Sequence, residues 1–519
     1  TSTDIFQEGI RIPPLKLVRK GELNQDVIDL ILLNCRIPDQ NWGDIKAQLA
    51  SIATAERRVK ELAARYGREV VTRGITDLLD SAEERARKFI DSIPDGVYRA
   101  SDYMEAEGQP RPIRIDLAMT VKGDAIEMDF TGADLQVAAA FNLPTWGQPG
   151  HYMLSLALLN YFRTIDPDIP YNSGLIRPVR MILPKGSIVN PDPGLAYGVR
   201  AATFIRVMDC IMACLAQALP DATPAASSGA IAIVLLSCFD HETGERRITV
   251  AQPLSGGSGA RPRQDGIDGT SFTGGWLRNV PNEVLEAEMP IIVEDYGYAD
   301  NRAAPGRTRG GAPVRFRLRS LEDGMIMTAR GLERFRFQPW GFRGGHPGPC
   351  AMVTLNPDAA DARSLGQIDL VELKANDVVE FFTPSGGGYG DAFERPPKAV
   401  LADMRAGFID AEAARRDYGV AIVDGRLDDG ATRELRQEHR PRAADDLFSR
   451  GPARAAYEAA RPEELQRAII AALMKRPSRK RDRLRLALDQ HIESDRRGGQ
   501  IVAPADIERL LERLEGAAP

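Results

Sequence analysis

The stretch IRIDLAMTVKGDAIEMDF, residues 113–130, decides the reading of the fold. Ile113, Ile115, Leu117, Met119 and Val121 alternate with Arg114, Asp116 and Thr120. After Lys122-Gly123-Asp124 the alternation resumes at Ile126, Met128 and Phe130. Apolar side chains at every second position line one face of an extended chain, so the spacing predicts a β-hairpin. Just upstream the period is different. Ile45, Leu49, Ile52, Val59, Leu62, Ala63 and Tyr66 recur at spacings of three and four, with Lys46, Gln48, Arg57, Lys60 and Glu61 on the other side. That is an amphipathic helix, which Gly67 is placed to stop. A second stripe of Val71, Ile75, Leu78, Ala82, Ala86, Phe89 and Ile93 runs up to Pro94. The two helices over 39–93 are expected to form an antiparallel hairpin packed on something larger.

Downstream, the pattern predicts a helix near 148–163, a strand near 176–183, a helix near 203–218 and a strand near 229–238. Residues 240–390 combine many glycines with short apolar runs, which points to strands joined by long loops. Two short helices surround Met404 and Ala411–Ala414. After about residue 425 Arg, Glu and Ala dominate, and helices are expected over 462–474, 478–494 and 505–514. The class is α+β (mixed): a long helical hairpin packed on β-rich layers with Gly-rich loops, plus a helical C-terminal tail. The expected division is a helical hairpin segment over 1–110, a mixed core over 111–425 and a helical extension over 426–519.

A net charge of −6 and a pI near 5.7 ask for neither nucleic acid nor an acidic membrane as a partner. No apolar run approaches the ~20 residues that span a bilayer. The most apolar stretch, Ala230–Cys238, suits a buried strand. The opening residues have neither a basic start nor an apolar core, so no signal peptide is expected and the compartment is read as cytoplasmic. The chain begins without an initiator Met, in what reads as the middle of a loop. Cys35, Cys210, Cys214, Cys238 and Cys350 are scattered in mostly apolar surroundings and read as reduced, buried thiols.

Three Gly clusters stand out: Ser255-Gly256-Gly257-Ser258-Gly259-Ala260-Arg261, Gly344-Gly345-His346-Pro347-Gly348, and Pro384-Ser385-Gly386-Gly387-Gly388-Tyr389-Gly390-Asp391. Glycine allows backbone N–H groups to approach a ligand closely. None is followed by Lys-Ser or Lys-Thr, so there is no P-loop, and tight turns are the plainer reading. Gly256-Gly257-Ser258-Gly259-Ala260 misses a nucleophile elbow by its final Ala. Of His151, His241, His346, His439 and His491, none lies within five residues of another. Cys210 and Cys214 share a helix face with no second pair beside them, which reads as core and not zinc. Lys475-Arg476-Pro477-Ser478-Arg479-Lys480-Arg481 is followed by Asp482, Asp489 and Glu493 on the same helix, so it reads as a solvated face. By themselves these residues name no function.

Several segments together resemble the hydantoinase B/oxoprolinase family. They are TSTDIFQEGIRIPPLKLVRKGEL at the start, NCRIPDQNWGDIKAQLASIATAERRVKELAARYG from Asn34, MDFTGADLQV from Met128, YNSGLIRPVRMILPKGSIVNPDPG from Tyr171, the run Leu254–Glu286, and PSGGGYGDAFERPPKAV from Pro384. The likeness is collinear from residue 1 to about 423 and does not cover 426–519. Ser258 stands where the family often has an aromatic residue. The likeness also begins partway into the family pattern, so no metal ligands are expected in this chain. They are expected in an N-terminal portion that holds the family's Asp- and His-containing segments.

The resemblance implies a hetero-oligomer with a hydantoinase A-type subunit that binds ATP and Mg, and a small cyclic amide as substrate: a hydantoin, 5-oxoproline or a related lactam. Phosphorylating the amide oxygen creates a better leaving group, and water activated by a divalent or transition metal opens the ring. Under this reading the Gly-rich loops wall a site. The candidate substrate contacts are Gly256, Gly257, Gly259, Arg261, Asp265, Asp268, Arg278, Asn279, Arg200, Gly387, Gly388 and Tyr389, with Arg261 foremost because it follows the first Gly cluster. No catalytic base is assigned. Two alternatives are a subunit of an ATP-dependent ketone carboxylase of the acetone or acetophenone type, and a non-catalytic scaffold or truncated remnant.

Overall fold

The computed structural model describes residues 2–516 except 106–110, 241–242, 272–274, 276, 369, 440–446 and 498–501. His241 therefore lies outside the described residues. Helix α1 (Gln25–Leu33) leads into α2 (Pro38–Tyr66), which starts on a proline and stops at Gly67, and α3 (Arg68–Asp91) returns. Only the second half of α3 is anchored. Its Ala82, Ala86 and Ile90 are buried, whereas α2 has no buried residue along its 29 positions. The expected hairpin is present, but among the described residues α2 packs on no layer.

The alternating stretch forms the centre of a four-stranded sheet, β1 (Gly96–Met104), β2 (Ile113–Lys122), β3 (Ala125–Asp129) and β4 (Val179–Ile182). β1, β2 and β3 are antiparallel, with Ala100 opposite Leu117 and Met119 opposite Met128. β4 joins β3 in parallel, with Ile126 opposite Val179. A parallel partner needs a crossover, and helix α4 (Leu156–Ile165) lies in it. The apolar face of β2 packs into the main core together with α3, α4 and helix α5 (Arg200–Ala218). α5 is long and apolar enough to cross a membrane. Here it is a core helix, and Arg206 and Asp209 on it are buried. Cys210 and Cys214 face the same core as free thiols. Further along, a four-stranded and a five-stranded sheet enclose a second core of residues from Ala232 to Phe381.

The polar face of β2 is also buried, which alternation alone does not predict. Arg114 and Asp116 are 3% and 4% exposed. The C-terminal helices lie over them. Arg467 donates to Asp116 at 3.0 Å, Arg485 reaches Asp134 at 3.4 Å, and Gln466 donates to the Tyr103 hydroxyl at 3.0 Å. These helices have a small core of their own, into which Leu135 from the turn after β3 inserts.

The deepest charges form one cluster. Asp102 on β1 accepts bonds from Arg334 at 3.2 and 2.8 Å, from Arg454 at 3.1 Å and from Arg206 at 3.4 Å. Asp209 accepts from Arg206 and Arg334, both at 2.9 Å. Glu333 lies 3.7 Å from Arg206 and accepts the Glu105 N–H. Removing one partner from a buried ionic set leaves an uncompensated charge, at about 3–5 kcal/mol. Asp102→Ala is therefore expected to lower the unfolding free energy by about that amount in urea titration; a loss below about 1 kcal/mol would show that the arginines re-pair with water.

Burial, with the Glu105 carboxylate close by, pushes the Glu333 carboxyl up to about 8. A carboxyl whose folded pKa is raised binds its proton more tightly folded than unfolded. Its contribution is complete below the ordinary Glu value of about 4.3 and is lost as pH rises through the folded value. The urea midpoint should therefore fall between about pH 5 and 8, and Glu333→Gln should flatten that decline. An unchanged slope in the variant would assign the decline to other groups.

Candidate functional site

The three Gly clusters come together and braid. The Gly257 N–H donates to the Pro384 carbonyl at 3.2 Å, Ala260 to Gly387 at 2.9 Å, Gly387 to Ala226 at 2.8 Å, and Gly388 to His346 at 2.9 Å. Their N–H groups are therefore used in holding loop to loop. A Cβ at Gly256 would sit 2.1 Å from the Pro384 oxygen, at Gly257 1.9 Å from the Gly311 oxygen, and at Gly259 1.9 Å from the Ala225 oxygen. At Gly387 and Gly388 it would meet the Trp340 and Pro305 oxygens, each at 2.1 Å. Glycine is needed at these positions for room between backbones, not for positive φ. Tyr389 is buried, with its hydroxyl donating to the Pro220 carbonyl at 2.7 Å and its ring 5.6 Å from Phe342. Gly387, Gly388 and Tyr389 thus support the braid from behind.

In front of the braid is a cavity of about 810 Å³. Ser258 and Gly259 contribute from the braid, and Met212, Ala157 and Tyr161 from α5 and α4. Its lining is mainly apolar, and Ile267 and Pro224 add to it. Arg163, Arg261 and Arg263 bring positive charge. Arg261 donates to the Asp265 carbonyl oxygen at 2.9 Å, which fixes its direction without neutralising it. Among the described residues, Arg261 and Arg263 form no ion pair with a carboxylate. Ser258 accepts the Ile267 N–H on its hydroxyl at 2.6 Å, so it shapes the wall as a hydrogen-bonded turn residue.

The other sequence candidates occupy different places. Asp265 turns away from the cavity and accepts Arg395 at 2.7 and 2.8 Å and the Arg309 N–H at 2.8 Å. Burial would raise its carboxyl, but the Arg395 bonds overcome this and hold it below its usual value. Asp268 is taken up by Arg309 at 2.6 Å and caps the Ala312 N–H at 2.7 Å. With Asp403 these residues form an Arg–Asp lattice behind the loop. Arg278 and Asn279 line a second hollow of about 540 Å³, beside Tyr296 and Tyr298. The two hollows share Thr270 and Gly275. Arg200 is exposed at the start of α5, donates to the Tyr197 carbonyl at 3.2 Å, and lines neither hollow. The structure therefore joins Gly259 and Arg261 in the main cavity, puts Arg278 and Asn279 next to it, leaves Arg200 outside the site, and makes the rest support. Sequence reasoning missed Arg163, Tyr161 and Met212 because helical periodicity accounts for them as ordinary helix residues. Arg263 carries a weak signal, two residues after Arg261.

Among the described residues, no group of three or more His, Cys, Asp or Glu is arranged to hold a metal ion. The residues present do not fit the metal that the family resemblance implies.

The chain belongs to the hydantoinase B/oxoprolinase family, whose profile matches residues 1–392 and so takes in all three glycine clusters. Its relatives include an uncharacterised protein of Methanocaldococcus jannaschii, 33% identical over 440 residues, spanning 83% of this chain and 75% of that protein. The caprolactamase subunit beta of Pseudomonas jessenii is 29% identical over 448 residues, spanning 84% and 76% of the two chains. The crystal structure of the ATP-dependent caprolactamase from that organism superposes with a TM-score of 0.75 at 28% identity, covering 83% of this chain and 76% of that one. An acetone carboxylase chain, in its nucleotide-free structure, superposes with the same TM-score of 0.75 over 95% of this chain and 72% of that one. At 17% identity it shows the fold alone.

Overpacking a braid of this density costs about 1–3 kcal/mol. Gly257→Ala should lose that much stability. Gly43→Ala, where a Cβ meets nothing within 4 Å on helix α2, should be neutral or gain up to about 1 kcal/mol. Equal unfolding midpoints for the two variants would contradict the account of the braid.

Proposed function

We propose that this chain is the B-type subunit of an ATP-dependent cyclic amide hydrolase that opens a hydantoin, 5-oxoproline or a related lactam. In this reading it acts with a hydantoinase A-type subunit in a hetero-oligomer, as the subunit naming of its caprolactamase relative suggests. The carrying observation is the cavity: apolar walls from α4 and α5, with Arg261 and Arg263 in no ion pair among the described residues and the one lining carboxylate, Asp221, paired with Arg343. A lactam ring buries hydrocarbon against Met212, Ala157 and Ile267, while its amide faces the arginine side. Anionic charge that develops when the amide is activated is stabilised by guanidinium groups already fixed in place. ATP and Mg are assigned to the A-type subunit. The metal-activated water is assigned to residues outside those described here. The contribution of this chain is to bind, orient and exclude bulk water.

The test is reconstitution with a hydantoinase A-type subunit, following ATP hydrolysis while 5-oxoproline, hydantoin, N-methylhydantoin and caprolactam are offered. Ring-opened product with ATP consumption is expected for at least one, and Arg261→Ala should cut kcat/KM about 100-fold. Turnover that instead required bicarbonate and a ketone would make the chain a carboxylase subunit. Failure of every compound to stimulate ATP hydrolysis would leave a scaffold.

A further inference from the structure

Among the described residues, nothing covers the outer part of the α2–α3 arm. Every residue from Ala50 to Leu62 is exposed, and on α3 exposure continues through Val70, Ile75 and Leu78. Yet α2 is patterned for burial. Ile45, Ile52, Val59 and Tyr66 recur every seven residues, and Gln48, Ala55 and Leu62 recur three positions after the first three of them. The first positions make a heptad-spaced apolar row, β-branched at Ile45, Ile52 and Val59 and closed by Tyr66, to which Leu62 adds at the second position. Ile52 is 64% exposed and Val59 55%, and α3 does not shield them. A stripe of this kind on a water-soluble surface marks an interaction site.

The charges show which partner fits. The distal part of the arm, residues 51–79, carries six basic and four acidic side chains. The part near the body, residues 38–50 and 80–91, carries four basic and six acidic. Many pair within the arm, such as Arg57 with Glu61 and Lys60 with Glu56. Among the described residues, Arg68 and Arg73 near the tip and Asp39 and Asp44 near the base form no ion pair. An arm that is positive at its tip and negative at its base complements a copy of itself laid antiparallel about a two-fold axis. Such an interface is isologous, so each surplus charge is met twice.

We propose that the α2–α3 arm is a self-association surface: two copies of this chain pair their arms antiparallel, burying the Ile52–Val59–Leu62–Tyr66 seam and setting Arg68 and Arg73 of one arm near Asp39 and Asp44 of the other. Sedimentation velocity of the full chain should then give twice the 56.9 kDa monomer mass at micromolar concentration. Ile52→Glu combined with Val59→Glu should give a monomer with an unchanged far-UV spectrum, because both side chains are already in solvent in the single chain. Arg68→Glu with Arg73→Glu should weaken the dimer at least tenfold, and adding Asp39→Lys with Asp44→Lys should restore it. The inference is overturned if the wild-type chain stays monomeric, if the dimer survives the Ile52/Val59 double variant, or if the charge reversal is not rescued. It is equally overturned if the chain is monomeric alone and the seam variants instead stop it joining a hydantoinase A-type subunit, which would assign the arm to that subunit.

Discussion

The inner half of this molecule depends on pairing the Asp102 carboxyl group away from water. One carboxylate on β1 gathers Arg206 from α5, Arg334 from the loop after the strand Met325–Arg330, and Arg454 from the C-terminal helices. Each comes from a different part of the chain, and each guanidinium is almost wholly buried. Desolvation offsets much of the attraction in such a set, so its main effect is on position, not on net stability. The pairing ties β1, α5 and the tail to one another, and it leaves the Nε–H groups of Arg206 and Arg334 buried without a partner among the described residues. Arg334 illustrates the constraint. It takes a left-handed backbone (φ 69°), a conformation that costs a non-glycine residue about 1–3 kcal/mol. Its bonds to Asp102 and Asp209 hold it there.

The cavity rests on a second constraint, the space between backbones in the glycine braid. Carbonyl oxygens from Pro384, Gly311, Ala225 and Trp340 approach where a side chain would begin. Loops tied this closely hold Ser258 and Gly259 at fixed positions against α4 and α5. Polar residues near the braid divide accordingly. Asp265 and Asp268 are consumed behind the wall by Arg395 and Arg309, whereas Arg261 stays in front with only a backbone carbonyl to direct it. The positive charge of the cavity follows from that division.

Much of the local structure could be read from periodicity. The strand alternation over 113–130, the three-and-four spacing over 39–93 and the apolar run at 230–238 each formed the expected element. Periodicity reports which face is apolar. It does not report what covers the other face, or whether anything covers the apolar one. Thus Arg114 and Asp116 look like solvent-facing residues and are buried beneath Arg467 and its neighbours. Ile52 and Val59 look like core residues and stand in solvent. The candidate site was legible to the same extent. Gly clusters announced close approach, but glycine is equally suited to approach a ligand or another strand, and here it is mostly the strand.

The sequence by itself determined the mixed class, the family and the longer elements in their order, though not the short helices Gln25–Leu33, Asn282–Glu288, Asp429–Gln437 and Pro452–Ala460, because long periodic patterns and collinear motifs carry that information and short runs do not. The tertiary structure alone decided which charged residues are structural and which face the cavity. Arg261 and Arg309 are both loop arginines close to a glycine, yet one lines a cavity and the other is locked to Asp268 and Asp403. Their difference arises from carboxylates distant in the chain, at positions that no local pattern encodes.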